Sequence, residues 1–225
     1  MAIDYTRDVP DDLLPAWVAG WSACRGYSPA EEEAGHPAIV LSDKTGDWEY
    51  FAYEPAEDEF AELAAQTTRS PKRMFTVLTR DPQRIKELAP KHGLRVHHSD
   101  QSMMVTDMSN QDAEDPWYRD PDFKTEVVRD GNVHRARVTY QGEEAAHGVV
   151  AVVDSFAVFD HIETNEKYRR RGLATHVMRA LIASTFEHIV ETGLLIASHD
   201  GQMLYNHLGW DTVCDVMILK PVDAP

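Results

Sequence analysis

Cysteine is almost absent from the 225 residues. Cys24 and Cys214 are the only two, which leaves neither a disulfide framework nor a CxxC metal knuckle. Long apolar runs are missing as well: nothing approaches the roughly 18 consecutive apolar residues that a membrane-spanning helix needs. The opening stretch MAIDYTRDVPDD is acidic and lacks the basic and apolar regions of a secretory leader. The expectation is a soluble, cytoplasmic protein. Basic charge is scarce, with 22 Lys and Arg against 38 Asp and Glu, a formal net charge of −16. Such a surface repels phosphate backbones and anionic lipids, which argues against a nucleic-acid or membrane partner; it either draws in cationic partners or serves solubility alone. Neither the Walker pattern GxxxxGK[ST] nor the dinucleotide pattern GxGxxG is present. The 11 histidines show no HxxxH or paired-ligand spacing, so no metal is expected; His97 and His98, adjacent on a strand, should point to opposite faces.

What is present divides into two halves. In residues 1–108, LLPAWVAGWSACR has apolar positions at helical spacing and stops at Gly26. AIVLSD and WEYFAYEP read as strands joined by the turn KTGD, EDEFAELAAQT as a helix, and RMFTVLT as a buried strand. DPQRIKELAPKHG reads as a helix with Asp81 capping and Pro82 at its first position, and LRVHHSDQSMMVTDM as an alternating hairpin. Residues 109–122, polar, acidic and punctuated by proline, suit a linker. Residues 123–225 then start with four strands, KTEVVRD, NVHRARVTYQ, AAHGVVAVVDSF and AVFDHIET, an antiparallel meander. A helix from about Gly172 to Val190 follows, with Leu173, Val177, Leu181, Ile182, Thr185 and Ile189 on its inner side. The strand GLLIAS, a short helix ending at Gly209 and the strand WDTVCDVMILKPV complete the pattern. The fold class expected is α/β, a mixed and mostly antiparallel sheet with flanking helices.

Between the fourth strand and the long helix stands NEKYRRRGLAT. A strand that runs through a glycine turn into a helix presents unpaired N–H groups and the positive end of the helix dipole, a setting for phosphate. Arg169, Arg170 and Arg171 would add charge-assisted hydrogen bonds there, or they are a solvated charge run. Arg169-Arg170-Arg171-Gly172-Leu173-Ala174 resembles the R/Q-x-x-G-x-G/A signature of the Gcn5-related N-acetyltransferases (GNAT), whose loop holds the pyrophosphate of acetyl-CoA. The ordered context adds to the likeness: HIET before the loop, GLLIAS after the helix, and LYNHLGW, which is similar to the family's A-x-x-x-Y-x-x-x-G-F/W element. The resemblance covers roughly residues 124–220.

That resemblance implies acetyl-CoA as acyl donor and a small-molecule amine as acceptor. It implies that backbone groups of Ile162, Glu163 and Thr164 pair with the pantetheine arm, and that Arg169, Arg170, Arg171, Gly172, Leu173, Ala174 and Thr175 form the pyrophosphate cradle. Tyr205 falls where the family places a phenol near the departing thiolate; the alternative is a core aromatic of the short helix. Strand alternation puts Val158, Asp160, Ile162 and Thr164 on one face and Phe159, His161 and Glu163 on the other. By its spacing before the arginine loop Asp160 resembles positions that carry a base or substrate ligand in some members of the family; the alternative is a strand carboxylate hydrogen-bonded to a neighbouring loop.

The sequence departs from the family in one respect. Only the tight turn Asp130-Gly131-Asn132 stands where two helices usually wall the acceptor site. The first half is expected to supply the missing wall, either as a domain of its own kind or as a degenerate copy of the same fold in a tandem arrangement, and not to bind acetyl-CoA itself. An acceptor pocket between the halves would be lined partly by Trp17 to Gly26, unless Trp17 and Trp21 are plain helix core. The leading expectation is an N-acetyltransferase acting on a primary amine of a small cationic metabolite. The alternatives are a lysine or peptide acetyltransferase and a non-catalytic acetyl-CoA sensor or scaffold.

Overall fold

Apolar side chains at Leu13, Leu14, Trp17, Val18 and Trp21 recur every three or four positions, and that spacing winds Leu13–Arg25 into helix α1. The helix stops where Gly26 turns left-handed at φ 69° and its N–H returns to Ala23 O. The computed structural model describes residues 9–33, 35–112, 114 and 116–224, so the first eight residues of the acidic opening stretch lie outside the described residues. No helix among the described residues is long and apolar enough to cross a membrane.

The first half continues as β1 (Glu31–Glu33), β2 (His36–Val40), β3 (Trp48–Tyr53), α2 (Glu57–Thr67), β4 (Met74–Thr79), α3 (Pro82–Leu88) and β5 (Leu94–Asp107). The Asp81 side chain accepts from Arg84 N at 3.0 Å and caps α3. The second half holds β6 (Phe123–Asp130), β7 (Val133–Tyr140), β8 (Glu143–Val153), β9 (Phe156–Thr164), α4 (Leu173–Ser184), β10 (Thr192–Ser198), α5 (His199–His207) and β11 (Asp211–Pro221). These strands make one eleven-stranded sheet in the order β1-β2-β3-β4-β11-β5-β10-β9-β8-β7-β6.

The order shows an exchange. β11, the last strand of the second half, lies between β4 and β5 of the first, and β5 lies between β11 and β10. Each half therefore completes the other's sheet. Around this exchange the halves repeat one pattern: two parallel strands joined by a helix (β3-α2-β4 and β9-α4-β10), then a second helix and an antiparallel strand.

Alternation along the strands sorts the core onto two faces. On one, Phe51, Leu78, Met103, Val158, Leu194 and Val216 pack beneath Trp17, Val18 and Trp21 of α1. On the other, α4 and α5 cover Phe159, Leu195 and Val150, while α2 and α3 cover Phe75, Val77 and Met217. α1 lies close on its face because residue 20 is glycine: a Cβ there would meet Val158 at 2.4 Å.

Three expectations need correction. LRVHHSDQSMMVTDM is one strand and no hairpin, because β11 and β10 pair with it on both sides and override its turn-like centre. The polar stretch survives as register shifts opposite Val216, Ile218 and Leu219, and these bring the His97 and His98 rings to 4.3 Å from one another instead of to opposite faces. The long helix ends at Ser184, leaving Ile189 88% exposed. The Ser184 and Thr185 hydroxyls donate to Leu181 O and Ile182 O, and Thr185 N also turns to Ile182 O, which tightens and closes the last turn. Between β5 and β6, Gln111 Nε2 donates to Thr106 Oγ1 at 2.9 Å, and the Tyr118 hydroxyl to Arg171 O at 2.7 Å.

Two outcomes follow from this packing. Gly20→Val should lower stability by about 2 kcal/mol through overpacking against Val158, read from urea unfolding; an unchanged midpoint would show that α1 rides loosely. A fragment starting at Asp112 should fail to fold, since β11 would lose both neighbours and β10 one. Circular dichroism and gel filtration decide it, and a monomeric, cooperatively melting fragment would show that the exchange is dispensable.

Candidate functional site

β9 and β10 run parallel and pair from Phe156 opposite Thr192 to Phe159 opposite Leu195. Beyond that point they part. β10 keeps its pairing with β5 as far as Ser198, whereas β9 from Asp160 to Thr164 has β8 on one side and no β10 partner on the other. Ile162, Glu163 and Thr164 thus lie on an open backbone edge, and the Thr164 hydroxyl is buried without a hydrogen-bond partner.

A bulge sits in the same stretch. Val149 pairs with Asp160 but His147 with Glu163, so His161 and Ile162 together face Gly148, and His161 adopts φ 53°. The bulge corrects the simple alternation: Asp160 faces α1, whereas Ile162 packs toward α4, over the place where a Cβ on Gly148 would meet its Cδ1 at 2.5 Å.

On the α4 face the arginine loop leads into the helix. Arg170 takes φ 59° and Gly172 φ 79°, and a Cβ at residue 172 would meet no atom within 4 Å. Arg169, Arg170 and Arg171 are all exposed. Arg169 Nη1 lies 3.5 Å from Glu166, and the Arg171 guanidinium lies over the Tyr168 ring at 5.8 Å. Leu173 is 1% exposed in the core, so only its backbone faces the turn, while Ala174 and Thr175 are half-buried on the first turn of α4. Tyr205 of α5 is buried, its ring 5.9 Å from that of Trp210, which in turn lies 5.6 Å from Phe159. Burial, and after it the charge of Asp160, pushes the Tyr205 hydroxyl up to about 12.

On the α1 face lies a cavity of about 150 Å³. Trp17, Trp21 and Arg25 of α1 roof it, Phe159, Asp160 and Ile196 flank the parting strands, and β3, β4, β5 and β11 supply the floor. Trp17 and Trp21 are therefore both core and cavity wall. Arg25 Nε donates to Asp160 Oδ2 at 2.7 Å and its Nη2 to Oδ1 at 3.2 Å, with the guanidinium 5.1 Å from the Trp21 ring. At the far side Glu49 of β3 is 4% exposed and accepts the Thr76 hydroxyl. Burial raises its pKa, against that hydrogen bond and the charges of Lys44 and Arg25. The two cysteines are buried, and desolvation pushes both thiols up to about 12, so neither is a ready nucleophile. No group of three or more His, Cys, Asp or Glu among the described residues is placed to hold a metal ion.

The corresponding stretch of the first half is closed. Glu54 N continues the β3–β4 pairing by donating to Leu78 O at 2.9 Å, and its carboxylate accepts from the Thr79 hydroxyl and Arg80 N and lies 3.8 Å from Arg84. Glu57, Asp58 and Glu59 occupy the first turn of α2, where an anion would otherwise sit.

No family model matches the sequence, and no curated protein matches it. Solved structures do. A GCN5-related N-acetyltransferase from Kribbella flavida superposes with a TM-score of 0.66 at 10% identity, over 95% of this chain and 97% of that one. The fold is that of the GCN5-related N-acetyltransferases. A GNAT-family protein from Novosphingobium aromaticivorans matches at TM-score 0.61 and 17% identity over 92% and 96% of the two chains. A tandem GNAT protein of the clavulanic acid biosynthesis pathway matches at 0.55 and 12% over 75% and 69%. At these identities what is shared is the GNAT fold, in its mixed α/β form.

Arg25 and Glu49 were missed in the sequence. Both left a signal: Arg25 continues the Trp17–Trp21 stripe by four residues, and Glu49 alternates with Phe51 and Tyr53 on the inner side of its strand, where a charge is costly without a purpose. If the arginine loop holds the phosphates of CoA, the double variant Arg170→Glu/Arg171→Glu should lower CoA affinity by at least about tenfold and leave the melting temperature unchanged, because both side chains are exposed. Calorimetry with CoA measures this, and wild-type affinity in the double variant would remove the loop from the site.

Proposed function

We propose that the protein is an acetyl-CoA-dependent N-acetyltransferase acting on a primary amine of a small, cationic acceptor. The observation that carries the reading is the gap where β9 leaves β10, with the arginine and glycine loop on one face of the sheet and the α1-roofed cavity on the other. The residues present fit the donor. The open edge at Ile162–Thr164, the unpartnered Thr164 hydroxyl and the free space at Gly172 suit a pantetheine arm and a pyrophosphate. Acetyl-CoA supplies an activated acyl group. The closed ladder at Glu54 and the acids of α2 argue that the first half takes no CoA of its own.

The amine nitrogen forms the new N–C bond as the C–S bond breaks, losing one proton to solvent while the sulfur gains one. With a pKa near 12, Tyr205 stays protonated at neutral pH and acts as a donor. A departing thiolate, with a pKa of roughly 8.5, is the weaker base, so the phenol stabilises it by a hydrogen bond more than by outright transfer. Asp160 already has both carboxylate oxygens engaged by Arg25. We therefore assign it, with Arg25, to shaping the wall of the gap, in preference to the role of base. The roof that α1 lays over the cavity suits a small molecule better than a lysine on a protein surface.

A panel of amines incubated with acetyl-CoA, with released thiol as the readout, tests the activity. Tyr205→Phe should lower kcat by about a hundredfold and leave KM for acetyl-CoA unchanged. An unaltered rate would return Tyr205 to the core. Binding of CoA without thiol release from any amine would turn the reading to a binding module.

A further inference from the structure

The cavity has two unlike ends. At the gap stand Phe159 and Asp160, the latter paired with Arg25. At the other end stands Glu49 on β3, with four strands, β4, β11, β5 and β10, between it and β9 in the sheet. Between the ends Trp17, Trp21, Met74, Ile196, Val216 and Ile218 supply apolar walls, with Thr76 and Gln101 set among them. A cavity of this size admits a benzene-sized ligand, on the order of six heavy atoms.

Glu49 is buried, yet only one of its oxygens accepts a hydrogen bond from a described residue, the Thr76 hydroxyl, and no cation among the described residues lies within ion-pair distance. A buried carboxyl left so is pushed toward its neutral form, as its raised pKa shows, and an arriving cation would stabilise the carboxylate. Arg25 is committed to Asp160, and Lys44 stands exposed at the rim. We propose that Glu49 holds a second ammonium group of the acceptor, so that the acceptor is a short linear diamine. This rests on reading the gap as the place of acetyl transfer. The methylene chain lies along the tryptophans, with the far nitrogen at Glu49 and the near nitrogen directed toward the gap.

The two ends treat the two nitrogens differently. At the gap Asp160 is paired with Arg25 and leaves no net charge to hold the near amine as an ammonium, whereas the Glu49 carboxylate favours the ammonium form of the far one. A monoamine of equal length would leave Glu49 as it stands now. One end reacts and the other is held.

The test uses the full chain with CoA present. Putrescine and cadaverine should bind at least about tenfold more tightly than n-butylamine and n-pentylamine in calorimetry, and Glu49→Gln should erase that difference. Lys44→Ala should tighten diamine binding by removing a like charge, and it keeps the test open if the Gln variant folds poorly. In turnover, Glu49→Gln should raise KM for the diamine about tenfold and leave KM for acetyl-CoA unchanged. Equal binding of diamine and monoamine to the wild type would overturn the proposal, as would a preference that survives Glu49→Gln. So would weaker binding in Lys44→Ala, because removing a nearby cation can only strengthen the pull of a carboxylate on an ammonium. Diamine binding that depends on Glu49 without any turnover would keep this site and overturn the acetyl-transfer reading instead.

Discussion

The ladder between β5 and β11 is the constraint on which the rest depends. It runs from Val105 opposite Asp211 to Leu94 opposite Pro221 and joins two strands that belong to different halves of the chain. Neither can leave without exposing backbone N–H and C=O groups on both of its neighbours. Because the halves share this seam, the cavity floor is built from both: Gln101 comes from β5, Val216 and Ile218 from β11, Glu49 and Met74 from the first half's own strands. The absence of helices between β6 and β7 is thereby offset. A roof from α1, tethered at Arg25 to Asp160 and packed through Gly20 onto Val158, covers the place.

The two halves also show how few residues separate an open strand pair from a closed one. β3 and β4 run parallel like β9 and β10, and both pairs are joined by a helix. In the first half Glu54 turns left-handed at φ 43° and its carboxylate gathers Thr79, Arg80 and Arg84, which stitches the strands together past their last pair. In the second half the bulge at His161 bends the strand away, and the helix opens behind arginines and a glycine in place of three acids. Local chemistry at about a dozen positions decides which half carries a gap.

Periodicity made most elements legible. The extents of α1 and α2, the Asp81 cap and the meander of β6 to β9 follow from spacing and turn residues that act within a few positions along the chain. The arginine loop was legible for the same reason, as strand, turn and helix start are local. What escaped was set by distant partners. HHSDQ looks like a turn until β11 and β10 pair with the segment from either side; the bulge at His161 depends on Gly148; and Glu49 becomes meaningful only when α1 covers it. A shared likeness to tandem relatives could be expected from the two-part pattern, but the exchange of strands could not, since hydrophobic alternation is the same whichever neighbour a strand takes.

The sheet also acts as a partition. The arginine loop lies on its α4 face and the cavity on its α1 face, and the parting of β9 from β10 is a seam between the two compartments. If the proposed donor and acceptor lodge on opposite sides, neither crosses the other's route, and both can be in place at once. The proposed transfer would then be direct, with no side chain carrying the acyl group between sites; the Cys24 thiol donates to Val158 O at 3.6 Å and stays protonated. For the proposed enzyme, that layout corresponds to a sequential mechanism with no compulsory order.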